Sequence, residues 1–157
     1  MTIEELIDVL ISKRLSLCFL TIDFIPKETG LYAWFPKHTN EIIYVGIAAG
    51  KGGLYRRIVA QHLNCKYLEA RTQKFTNKDD YQLSHPIYLS GKVAIDKSAF
   101  RKNVAREQKL RAGEESVNYI LRNFDLAYIS DQDTSQIKNW ETDIIKEKSP
   151  KYNIRGK

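Results

Sequence analysis

The chain has 157 residues, of which 43% are apolar and 28% charged, and a formal net charge of +6. That size and balance suit a single globular domain able to bury a core without disulfide or metal staples. No apolar run approaches the roughly 20 residues of a membrane span, and acids stand at the N-terminus where a secretory leader would be basic. A membrane protein is therefore not expected, and the expected setting is intracellular, in the cytoplasm.

In chain order, the first element is a helix over residues 3–14. Ile3, Leu6, Ile7, Leu10 and Ile11 recur there at helical spacing, behind Thr2 as N-cap with Glu5 three residues on. Residues 15–25 alternate loosely and stop at Pro26, so a short helix and a strand both fit. Residues 30–36 and 41–46 read as two strands joined by a polar connector, a hairpin. The segment AAGKGG follows at 48–53, and residues 54–63 are helical in pattern. From 64 to about 92 the chain is polar and irregular, with a short strand pair within HPIYLSGKVAI. Helices are expected over 97–111 and 114–123, joined at Ala112-Gly113, then a strand over 124–130. A last helix covers about 135–148 and halts before Pro150, because proline restricts the residue ahead of it. This order implies an α+β fold on a small, mainly antiparallel three-stranded sheet flanked by helices.

Charge is uneven along the chain. Residues 51–74 hold six basic residues against one acid, residues 101–111 five against one, and residues 146–157 five against one. Such segments make a polyanion-binding face if they converge and three solvated surfaces if they do not. The two cysteines, Cys18 and Cys65, have neither the spacing of a zinc motif nor that of a disulfide framework.

Three stretches bear on chemistry. The AAGKGG loop matches neither a Walker loop nor a GxGxxG turn. Its glycines read as a tight strand-to-helix turn, with backbone N–H groups at the helix start as a possible phosphate contact. Arg56, Arg57 and His62 share one predicted helix; an arginine fork suits phosphate, and a histidine suits phosphate donation or proton transfer. The plain alternative is a solvated basic face. Glu141 sits beside the apolar positions Trp140, Ile144 and Ile145, where a carboxylate calls for an arginine or a hard cation. Magnesium is held by only one or two carboxylates with water and substrate phosphate, so one acid suffices when nucleic acid supplies the rest.

Taken in order, GLY at 30–32, YVG at 44–46, LYRR at 54–57, His62, Glu141 and KYN at 151–153 resemble the GIY-YIG nuclease superfamily. The resemblance runs from residue 30 to the C-terminus with an interruption. It implies a single domain with residues 1–29 as an N-terminal helical extension and 64–123 as an insertion. It implies a metal-dependent endonuclease that hydrolyses DNA phosphodiester bonds, with RNA as the other nucleic acid. The alternative is a catalytically inactive nucleic-acid-binding module of the same fold. Tyr32 matches the general base, and Tyr44 the tyrosine that hydrogen-bonds around the scissile phosphate. Arg57 matches the arginine that stabilises the transition state, with Arg56 the other candidate, and His62 the histidine downstream of it. Glu141 matches the ligand of a single Mg²⁺ or Mn²⁺, Asn153 a structural polar residue, and Gly30 and Gly46 structural glycines.

Departures from the pattern are specific. AAGKGG lengthens the loop after Tyr44; His62 stands five positions after Arg57, where four is commoner; and Ile47 occupies a place often held by lysine, for which Lys51 substitutes. Lys51, Arg56, Arg101, Lys102 and Arg106 are the candidate nucleic-acid contacts. For the helix pair carrying the last three, the alternative is a packing hairpin with Phe100, Val104, Tyr119 and Ile120 inside. A monomer and a homodimer are both compatible with the sequence.

Overall fold

The computed structural model describes residues 1–153. In chain order its elements are α1 (Ile3–Ser12), β1 (Leu15–Ser16), a 3-10 turn (Ile22–Phe24), β2 (Gly30–Pro36), β3 (Tyr44–Ala48) and α2, which begins at Gly53–Tyr55 and continues as a π-helix over Arg56–His62. Then come β4 (Leu68–Ala70), a 3-10 turn (Asn77–Asp79), α3 (Asp80–Ser84), β5 (Tyr88–Leu89), β6 (Lys92–Asp96), α4 (Ala99–Gln108), α5 (Glu114–Asn123), β7 (Phe124–Ser130) and α6 (Thr134–Lys148). The architecture is α+β with two antiparallel sheets, and the chain forms two compact units, residues 1–59 with the chain from 123 onward, and residues 60–122. Among the described residues no helix is long and apolar enough to cross a membrane.

The first unit is built on a sheet in the order β1-β7-β2-β3. The hairpin expected from alternation pairs β2 with β3, and β7 pairs along the whole of β2, from Gly30 opposite Ser130 to Pro36 opposite Phe124. A fourth strand, only two residues long, adds to the three expected. Leu15 and Ser16 pair with Leu126 and Asp125, which settles the strand half of the 15–25 ambiguity, while Ile22–Phe24 supplies a helical turn. One sheet face is apolar: Leu31, Ala33 and Phe35 of β2, Val45 of β3 and Ala127 of β7 bury against Leu6, Ile7 and Leu10 of α1 and Ile137 and Ile144 of α6. Helix α1 starts where expected because Thr2 and Glu5 form a reciprocal capping box. Helix α6 is capped by Asp133 and ends at Ser149 in the left-handed region, one residue before Pro150. Arg14, just past α1, ties the unit together: it donates to the Pro36 and Thr39 carbonyls, pairs with Asp125 at 2.9 Å and lies over the Phe35 ring.

The second unit has its own sheet, β4-β6-β5. The strand pair expected in HPIYLSGKVAI is there, Tyr88 opposite Val93 and Leu89 opposite Lys92. Ser90 and Gly91 between them both have positive φ, as a two-residue hairpin loop with the sheet's own twist requires. The organising group is Arg101, which is 0% exposed. Its Nε donates to Asp96 Oδ1 at 2.7 Å, Nη1 to the carbonyls of Gln61, His62 and Asn64, and Nη2 to that of Tyr67 at 2.7 Å. Asp96 Oδ1 also accepts from the Gly113 N–H and the Ser116 hydroxyl. Burial pushes the Asp96 carboxyl upward, against the opposing pull of Arg101 and the Gly113 N–H.

Removing one member of a fully buried ion pair leaves the other charge uncompensated. Arg101→Ala is therefore expected to destabilise the protein by about 3–5 kcal/mol, read as a fall in the denaturant midpoint. Arg101→Lys is expected to restore only part of the loss, since an ammonium cannot reproduce five donors in a plane.

Candidate functional site

The face of the β2–β3–β7 sheet opposite the α1/α6 core carries the tyrosines. Cross-strand partners share a face, and Tyr32 lies opposite Gly46 on β3 and Tyr128 on β7, while Trp34 lies opposite Tyr44 and Leu126. Tyr32 and Tyr44 are thus diagonal neighbours on one face, with ring centroids 6.2 Å apart and planes tilted by 34°. The Tyr32 ring lies directly over position 46. A Cβ there would come within 2.5 Å of the Tyr32 hydroxyl oxygen and 2.6 Å of Cζ, so only glycine admits the ring. Gly30 has a similar constraint, since a Cβ would collide with the Ile129 carbonyl and approach the Leu54 side chain.

Tyr32 is 1% exposed and Tyr44 half-buried. The Tyr32 and Tyr44 hydroxyls are hydrogen-bonded to one another. Burial, foremost, lifts the Tyr32 phenol well above its ordinary 10.0; Tyr44 and Glu141 add to the rise, and Arg57 opposes it. Burial also raises Tyr44, opposed by the Arg57 charge and by the hydrogen bond with Tyr32, while Glu141 adds to the rise. Arg57, exposed on α2, and Glu141, half-buried on α6, therefore both act electrostatically on both phenols. Four of the expected residues, from four separate elements, are brought to one place.

Asn153 holds the outer strand of this group. Its amide accepts from the Val45 N–H at 2.9 Å and donates to the Val45 carbonyl at 2.8 Å, while the Tyr152 N–H donates to the Ile43 carbonyl. The tail thus supplies, by side chain, the backbone pairing β3 lacks on its free edge, between Tyr44 and Gly46. The structural role expected of Asn153 has this form.

The start of α2 is not a phosphate cradle. Gly53 has φ of +56°, and a Cβ there would strike the Glu28 carbonyl. That close approach lets the Leu54 and Tyr55 N–H groups donate to the Glu28 and Pro26 carbonyls at 2.8 and 2.9 Å. The Gly53 and Arg56 N–H groups bond within the loop, to Gly50 and Gly52. The option of backbone N–H groups free for phosphate is corrected accordingly, and the glycines serve the strand-to-helix turn.

The remaining expected residues divide sharply. Lys51 and Arg56 are exposed, with Arg56 donating to the Lys51 carbonyl. His62 is 3% exposed, its Nδ1 2.6 Å from the Ser98 hydroxyl and its ring edge-on to Phe100, all within the second unit. A catalytic role for His62 rests on the resemblance alone. Arg101 is corrected: a guanidinium without exposed surface, bonded to Asp96 and four carbonyls, does not touch a nucleic-acid backbone. Arg106 is engaged by Asp79 at 2.7 Å. Lys102 is half-buried; burial lowers its pKa, and the neighbouring Arg106 and Arg71 lower it further. Of the basic tail, Arg155 and Lys157 lie outside the described residues. Tyr128, beside Tyr32, was not singled out by sequence, because periodicity places it in a strand without saying which strand it meets.

For a metal, the available donors are hard oxygens, the Glu141 carboxylate with the Tyr32 and Tyr44 hydroxyls nearby. They fit Mg²⁺ or Mn²⁺ in the one-carboxylate manner, in which water and substrate complete the shell. Among the described residues no group of three or more His, Cys, Asp and Glu side chains is gathered for a metal, and one-carboxylate binding does not require such a group. No family model matches the chain, and no curated protein matches its sequence.

A phenol with a folded pKa above its unfolded value holds its proton more tightly in the folded state. Its contribution to stability is whole below pH 10.0 and is lost as pH rises through the folded value. Tyr32→Phe is expected to flatten the decline of unfolding free energy above pH 10.0 relative to wild type, measured by denaturant unfolding across that range.

Proposed function

We propose that the protein is a metal-dependent endonuclease of the GIY-YIG type, hydrolysing phosphodiester bonds in DNA. One observation carries this reading: Tyr32 and Tyr44 are hydrogen-bonded on one sheet face, where the exposed Arg57 and the carboxylate of Glu141 both act on them. Core tyrosines need neither an arginine nor a carboxylate beside them, whereas phosphoryl transfer needs a cationic clamp, a proton acceptor and a place for a hard cation.

The division of labour between the tyrosines departs from the expectation that Tyr32 is the base. Tyr32 is 1% exposed, which suits a positioning residue. Tyr44 is the more exposed of the two, and its hydrogen bond with Tyr32 favours the ionised oxygen. In this reading the Tyr44 oxygen accepts the proton of the water that attacks phosphorus, as the bond from phosphorus to the leaving oxygen breaks. Arg57 donates its fork to the non-bridging oxygens, where charge develops. Glu141 would hold Mg²⁺ or Mn²⁺, which when bound would supply Lewis acidity to the phosphate. Lys51 and Arg56, exposed beside Arg57, extend the contact along the backbone.

The second reading is an inactive nucleic-acid-binding module, and the elevated phenols favour it, since neither ionises at neutral pH in the protein alone. Supercoiled plasmid incubated with Mg²⁺ or Mn²⁺ separates the two. Nicking by wild type is expected, lost in Glu141→Ala and reduced about a hundredfold or more in Arg57→Ala, the scale of removing one transition-state donor. Tyr44→Phe is expected to cost more than Tyr32→Phe, and the reverse order would return the base to Tyr32. Salt-sensitive binding without nicking under any metal would establish the inactive module instead.

A further inference from the structure

Next to the arginine helix, the first unit carries an apolar feature its core does not use. The Thr21 N–H donates to the Cys18 carbonyl at 3.0 Å, closing a turn whose two central residues are Phe19 and Leu20. Turn centres favour Gly, Pro, Asn, Asp and Ser, which suit water and the required dihedrals. Here Phe19 is 58% and Leu20 89% exposed, and Phe24, on the 3-10 turn that follows, is 82% exposed. Single exposed apolar side chains are ordinary, but three large ones within one short segment form a patch.

The segment is anchored to the first unit on both sides of the turn. Leu17, Ile22 and Ile25 are buried and anchor it. The Thr21 hydroxyl braces the turn, accepting from the Cys18 N–H and donating to the Cys18 carbonyl, both at 3.2 Å. Asp23 accepts from the Tyr55 hydroxyl at 3.0 Å, the Tyr55 N–H donates to the Pro26 carbonyl, and Lys27 Nζ lies 5.5 Å from the Tyr55 ring centroid. Tyr55 immediately precedes Arg56 and Arg57, so the patch is strapped to the start of the helix that bears the proposed phosphate clamp.

Charge selects the occupant. The two strapped stretches carry Lys27, Lys51, Arg56 and Arg57 against Asp23 and Glu28, and Asp23 is engaged by Tyr55. A ligand with apolar faces and an anionic backbone uses both the patch and its rim, and nucleic-acid bases on a phosphate chain are that ligand. Paired bases hide their faces in the stack, so the patch meets them only where the duplex is interrupted or readily unstacked.

We propose that the 18–21 turn and Phe24 form a base-stacking wedge that directs the protein to nucleic acid with unpaired bases beside the bond presented to Arg57. This rests on the phosphodiester reading only in taking nucleic acid as the ligand. The test is fluorescence anisotropy in EDTA, which separates binding from cleavage. The probes are a short labelled DNA duplex with an unpaired bulge and its fully paired counterpart. Wild type is expected to prefer the bulged probe. The double variant Leu20→Ser/Phe24→Ser, altered only at exposed positions, is expected to bind that probe about tenfold or more weakly, the scale of losing a stacked base. Its affinity for the paired probe and its dependence on salt are expected to stay near wild type, because the phosphate contacts remain.

Equal affinity of variant and wild type for the bulged probe overturns the wedge. So does a wild-type dimer in sedimentation that dissociates in the variant while DNA binding is unchanged, which would make the patch a self-association face. Plasmid nicking that continues in the variant, together with either outcome, leaves the nuclease reading standing while the wedge falls. Wild type that neither binds these probes nor nicks plasmid removes both.

Discussion

The Tyr32 ring fills the space that a Cβ at position 46 would occupy, and the geometry of the candidate site depends on that exclusion. Because residue 46 has no side chain, the outer edge of the ring and its hydroxyl can sit over β3, within reach of Tyr44. Antiparallel register does the rest. Once Tyr32 faces Gly46, Trp34 must face Tyr44, and both tyrosines share the face away from the α1/α6 core. A slip of one residue in either strand would turn that strand's phenol into the core and separate the pair. The Asn153 amide opposes slippage at the free edge, bonding both polar groups of Val45 between the two motif residues.

Electrostatics at the pair are opposed by construction. Burial and the Glu141 carboxylate disfavour phenolate, while Arg57 favours it. A site with these signs stays neutral and stable until positive charge is added beside the carboxylate, and such charge would reverse the sign of Glu141's influence on the phenols. This is why the same geometry suits both readings considered above. The side chains supply orientation and hydrogen bonds, and in the proposed reading a cation held by Glu141 would add the positive charge that favours proton abstraction.

Much of this architecture is legible in short-range pattern. The capping box, the alternation of GLYAWFP, the strand FDLAYIS and the stop before Pro150 each depend on neighbours a few residues apart, and each element lies close to where periodicity places it. What stays hidden depends on partners distant in the chain. The two-residue β1 exists only because Leu126 and Asp125 accept it, and Asn153 acquires its meaning 108 residues away at Val45. The AAGKGG loop is the intermediate case. Its glycines announce a tight turn, but whether the following N–H groups are free depended on the Glu28 and Pro26 carbonyls. Tyr32 and Tyr44 stand out in the sequence because motif and spacing coincide; Tyr128 does not, because strand order has no local signal.

Arginine shows why charge counts alone could not locate the polyanion face. Arg101 belongs to a segment as basic as any in the chain, yet its guanidinium is fully interior and saturated by Asp96 and backbone carbonyls. Arg14 is likewise turned inward, onto Phe35, Asp125 and the β2–β3 connector, and Arg106 onto Asp79. A planar group with five donors is suited to gathering carbonyls at chain reversals, so a run of arginines in sequence is as compatible with a folding hub as with a ligand surface. The distinguishing property is whether the charged group is exposed. In the first unit Lys51, Arg56 and Arg57 are exposed on the turn and helix that follow β3. The rim of the apolar turn meets that same helix through Tyr55. The proposed nucleic-acid surface therefore centres on these few residues, where cationic, apolar and phenolic groups are carried by adjoining elements.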